Sequence, residues 1–181
     1  MGARNTASGY GWVSRLLHWV MALAILGMIG LGTVISRMEP SFANLWLFGL
    51  HKSIGISLLF AALLRLVWHR VSPPPAPLTD RIPVWQQRAA RLVHRTMYLL
   101  LFIVPVTGWV ASAATGIDVV LFGRITLPAI VPPSERLDQT FFAAHSILTK
   151  ILAGLVVLHV AGALHRHMVH HDHSLRRMIF G

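Results

Sequence analysis

The chain contains no cysteine, and only 12% of its 181 residues are charged. Without cysteine there is no disulfide scaffold, zinc ribbon or iron–sulfur cluster, and no c-type haem, whose attachment needs C-x-x-C-H. An average soluble domain carries about 25% charged residues. This chain lacks that hydrated shell, which excludes most soluble enzymes. Acidic residues are scarcest, six against 16 Lys and Arg. A nucleic-acid binder would gather such an excess on one solvated face. Here the basic residues lie between long apolar runs, the pattern by which a membrane protein sets its orientation.

What is present in quantity is apolar sequence. Residues 16–35 contain His18 as their one ionisable residue, and residues 51–68 carry His51, Lys52 and Arg65. Residues 97–114 are uncharged and interrupted by Pro105, and residues 141–164 hold His145, Lys150 and His159. At about 1.5 Å per residue each run can cross a hydrocarbon core of about 30 Å. The expected fold is an all-α integral membrane protein, a four-helix bundle formed as one domain over residues 1–181. The first run exceeds the apolar core of a cleaved signal peptide, so a retained anchor is expected. Pro105 is expected to kink the third helix. The proline-rich loop 72–83 reads as a stiff connector, and the loop 115–140 as turns without a domain of its own.

Four spans place both termini and the loop 69–96 on one side. That side holds Arg4, Arg15, Arg70, Arg81, Arg88, Arg91, Arg95, Arg166, Arg176 and Arg177. The other side holds Arg37, Lys52, Arg124, Arg136 and Lys150. The positive-inside rule therefore predicts cytoplasmic termini.

Each ionisable residue inside a bilayer needs a partner or a task. His145 and His159 are 14 residues apart, which on a helix returns to within about 40° of the same face after a rise of about 21 Å. His18 opens the first span at the inner depth, and His51 opens the second at the outer depth. Two histidines at each of two levels suit two six-coordinate haems b, His18 with His159 and His51 with His145, because neutral imidazole ligates iron without any thiol. Interfacial or hydrogen-bonding histidines are the plain alternative. Copper and zinc favour compact sets of three or four ligands. Gly55, Gly162 and Ala22 follow the histidines at helical spacing and would make room for a flat group. Arg65 and His94 are candidates for haem propionate contacts, each with interfacial placement as its alternative. His69 is expected merely to flank its span. The tail His165–His173 is rich in histidine, but its spacing fits no standard zinc pattern.

Several motifs occur in a specific order. Ser14-x-x-x-His18-Trp19, His51-Lys52-Ser53-Ile54-Gly55, His94-x-x-x-Tyr98 and Pro105-x-x-Gly108-Trp109 are followed by Phe122-Gly123, Leu127-Pro128, His145 and His159. Asp172-x-Ser174-Leu175-x-Arg177-Met178 closes the set. From about residue 10 to residue 179 the chain resembles the bacterial cytochrome b-561 family. That resemblance implies a di-haem b cytochrome of the inner membrane with His18, His51, His145 and His159 as axial ligands. It also implies either a superoxide oxidase that passes electrons to ubiquinone, or a cytochrome b subunit serving a partner dehydrogenase or hydrogenase. Lys52, Arg124, Arg136 and Lys150 are candidates for a positive funnel that would concentrate superoxide at the outer face. Pairing with Glu135, Asp138 and propionates is the alternative for these four.

Overall fold

The computed structural model describes residues 2–79 and 82–181, so Arg81 of the orientation set lies outside the described residues. Four long helices, α1 (Trp12–Ile35), α2 (Leu45–Val71), α3 (Val84–Ala114) and α4 (Glu135–Val169), are joined by a hairpin of β1 (Val119–Leu121) and β2 (Ile125–Leu127). A short α5 (Ser174–Ile179) follows. All four long helices are long and apolar enough to cross a membrane. Leu23 on α1 and Val157 on α4 are 68% and 69% exposed. Such exposure would be an aggregation hazard in water, but lipid solvates it. Met21, Ile25, Leu58, Ala62 and Leu101 form the buried seam of α1, α2 and α3, with Val156 of α4 packed against it.

Each helix is longer than its apolar run. The α3 helix begins directly after Pro83 and carries Arg88, Arg91, His94 and Arg95 before the apolar part starts. Nothing in that stretch breaks a helix, so the turns continue out into the polar region. His94 therefore lies inside α3 rather than ahead of it, and His69 lies inside α2. The start of α4 is set by Ser134, whose Oγ accepts from the Leu137 N–H at 3.4 Å, with Glu135 and Asp138 in the first turn. An N-cap with acids beside the helix's positive end is a stable start.

Both termini and residues 72–79 meet at one end of the bundle. The Arg177 side chain donates to the carbonyls of Ala7, Ser8 and Ala76. Arg15 donates to Ile179 O, and the Trp19 indole donates to Met178 O, both at 3.0 Å. Arg166 pairs with Asp172 and also donates to Leu78 O. The β-hairpin occupies the opposite end. Its turn, closed by Arg124 N to Leu121 O at 2.9 Å, has positive φ at Phe122 (47°) and Gly123 (69°). Two successive positive φ angles match the twist of an antiparallel pair, and glycine suits the second. The sequence reading held only turns here.

Candidate functional site

The bundle brings together the histidines that share a depth. His18 of α1 and His159 of α4 have ring centroids 6.3 Å apart, and His51 of α2 and His145 of α4 have centroids 6.1 Å apart. Each pair bridges between α4 and the α1–α2 hairpin. The pairs are related by the rise along α4, about 21 Å for 14 residues.

The second nitrogens of these rings have four different environments. His145 Nδ1 donates to the Val104 carbonyl at 2.9 Å, in the turn next to Pro105, with Thr107 Oγ1 3.4 Å away. A carbonyl only accepts, so the proton is on Nδ1 and the Nε2 lone pair is free. His51 Nδ1 is buried with no hydrogen-bond partner among the described residues. His18 Nδ1 lies 3.2 Å from Arg65 Nη2, and His159 Nδ1 lies 3.1 Å from His94 Nε2. Arg65 also stands over the Tyr98 ring, 5.7 Å from its centroid, and the Tyr98 hydroxyl is 3.5 Å from His69 Nδ1. His69 thus joins the cluster instead of only flanking the membrane.

Two glycines crowd the rings, and neither is among those expected to make room. A methyl at Gly108 would stand 3.1 Å from His145 Cε1 and Nδ1, and one at Gly32 would stand 3.2 Å from His51 Cε1. A methyl at Gly55 would meet Met28 Cε at 3.6 Å, and one at Gly162 would meet open space. Gly108 had a signal in its Pro105-x-x-Gly108-Trp109 motif; Gly32 had none.

Of the four candidate funnel cations, three lie at the hairpin end. Lys52 adjoins His51 on α2, Arg124 is in the hairpin turn, and Arg136 is exposed on the first turn of α4. Ser53 ties the first two together: its buried Oγ accepts from Phe122 N at 2.9 Å and donates to Gly49 O at 2.8 Å. Lys150 stands apart. It is exposed on α4 five residues past His145, about 7.5 Å deeper, and on the face opposite His159. In the tail, His165 and His170 have ring centroids 5.3 Å apart. No group of three or more metal-ligating side chains among the described residues is placed to hold an ion.

Residues 9–181 match the family described as Prokaryotic cytochrome b561. The chain belongs to that family. "Cytochrome b561 homolog 2" of Escherichia coli is 34% identical over 182 residues, covering 99% of this chain and 95% of the relative. "Probable superoxide oxidase CybB" of Yersinia pestis is 26% identical, with 90% and 91% covered. "Cytochrome b561 homolog 1" of E. coli is 27% identical, with 90% and 92% covered. Family membership makes this a multi-pass membrane cytochrome of electron transport and an oxidoreductase, and it implies haem b.

The residues present fit that group. Metal–imidazole bonds of about 2.0–2.1 Å, with about 1.1 Å from nitrogen to ring centre, separate two axial rings by about 6 Å. Both pairs have that separation. The free Nε2 of His145 supplies a ligating lone pair, and the buried, unpartnered Nδ1 of His51 leaves that ring uncommitted to any protein group among the described residues.

Proposed function

We propose that the protein carries electrons across the bacterial inner membrane from superoxide, on the periplasmic side, to ubiquinone. Two haems b, held by His18 with His159 and by His51 with His145, would supply one-electron redox centres at two depths. The whole chain, residues 1–181, forms one such unit. The observation that carries the two-haem reading is the pair of 6 Å histidine separations at both levels of one bundle. The superoxide donor is supported by the relative named a probable superoxide oxidase. In the balanced reaction, two superoxide anions lose one electron each to become two O2. One ubiquinone takes both electrons and two protons to become ubiquinol.

The chain's own residues divide the work by depth. Lys52, Arg124 and Arg136 bring positive charge to the hairpin end, where an anionic one-electron donor arrives. Lys150 takes no part in that field. At the other end Arg65 and His94 would hold the haem propionates. With haem held through His18 Nε2, the His18 proton would lie on Nδ1, and Arg65 could then no longer donate there. It needs another acceptor, and among the described residues the one side-chain carboxylate of that end, Asp172, is already paired with Arg166. The termini lie in the cytoplasm, because their end carries most of the arginines.

A superoxide pulse in stopped flow should reduce the haems of the purified protein within the mixing experiment, and added quinone should reoxidise them. If superoxide leaves the spectrum oxidised, the superoxide assignment fails. Reduction by a co-purifying dehydrogenase or hydrogenase instead would identify the protein as its cytochrome b subunit.

A further inference from the structure

We infer that His94 is a positioning residue for His159, acting through its Nε2; the inference rests on the reading of His159 as an axial ligand. His94 Nε2 and His159 Nδ1 are 3.1 Å apart, and the two rings have centroids 5.0 Å apart at 65°. Two neutral imidazoles share one proton in such a contact, so one must donate and the other accept. If His94 donated, His159 would carry its proton on Nε2 and have no lone pair there for iron. With His159 as ligand, its Nδ1–H donates and His94 Nε2 accepts.

This arrangement fixes two things. It locks the His159 tautomer and ring orientation as the Val104 carbonyl does for His145, by an imidazole in place of a backbone oxygen. It also leaves the His94 proton on Nδ1, a donor suited to a carboxylate. The other two ligands have no acceptor of this kind: His51 Nδ1 has no partner among the described residues, and His18 Nδ1 faces the donor Arg65. A hydrogen-bond acceptor behind a ligating imidazole raises its basicity and favours the oxidised metal. His94 therefore lowers the reduction potential of the haem held by His18 and His159, and leaves the other haem alone.

The test uses the purified full-length protein with haem bound. Glutamine can place an acceptor oxygen near the Nε2 position of histidine, whereas asparagine is too short. Potentiometric titration should show His94→Ala and His94→Asn raising one of the two midpoints, with the midpoint of His94→Gln closer to wild type than either. Low-temperature EPR of the oxidised protein should show the low-spin signal of that same haem shifted in the Ala and Asn variants. A propionate contact alone would move the potential and leave that signal in place, which would overturn the inference. So would Gln and Asn behaving alike, or the haem held by His51 and His145 being the one affected. If His94→Ala loses a haem outright, it must be the haem that His159→Ala loses; loss of the other overturns the inference. If His159→Ala retains both haems, the ligand assignment itself has failed, which haem content reads separately.

Discussion

Histidine in a bilayer pays for itself only through a bound partner, and this chain places four of them two by two. The pairing by depth has a direct consequence. His18→Ala and His159→Ala should each halve the haem content and remove the same spectral component, while His51→Ala and His145→Ala remove the other. Difference spectra and haem quantification check it, and His18→Ala and His51→Ala losing the same component would break the assignment. The crowding glycines give a subtler expectation. Gly108→Ala puts a methyl 3.1 Å from the His145 ring, a contact that the ring or the helix must yield to. It should shift the midpoint of the haem held by His51 and His145 and leave the second midpoint in place, as should Gly32→Ala. At this scale the four ligand candidates were legible, because polarity inside apolar runs is visible in one dimension. Gly32, Val104 and the His94–His159 contact were not, since each depends on which helix faces which.

The helices were legible by length and apolarity, but their ends were not. Apolar runs mark the part in lipid, whereas Pro83 and Ser134 set where α3 and α4 begin. The hairpin was missed for a different reason. Its strands are three residues each, and its turn uses Phe122 at positive φ, which glycine would have advertised. Ser53 anchors this element to α2 at the turn holding His51 and Lys52. Ser53→Ala leaves the Phe122 N–H without its partner, which costs about 1–3 kcal/mol. The expected outcome is lower thermal stability in detergent with haem content retained. Unchanged stability would show that the hairpin is held by other contacts.

Across the whole molecule, charge and polarity sort to the two ends and the α4 histidines connect them. The terminal end is closed by arginine-to-carbonyl bonds and by the Arg166–Asp172 pair. Burial pushes the Asp172 carboxyl up, but the Ser174 N–H and the Arg166 guanidinium outweigh it and hold the group below its ordinary 3.8. A carboxyl depressed in the folded state contributes stability that is complete above its unfolded value and lost as pH falls through the folded one. The protection of the tail from proteolysis that this pair supplies should therefore be constant from pH 8 to pH 5 and fall only below about pH 4. Asp172→Asn should open the tail at every pH; tail cleavage equal to wild type at pH 7 would show that the pair does not hold it. The central claim is simpler than any of these. Pyridine haemochromogen assay of the purified protein, with EPR of its oxidised form, counts the haems and reports their ligation. Two haems b per chain, both low-spin, is the predicted result, and a single haem, no haem or a high-spin five-coordinate centre would contradict it.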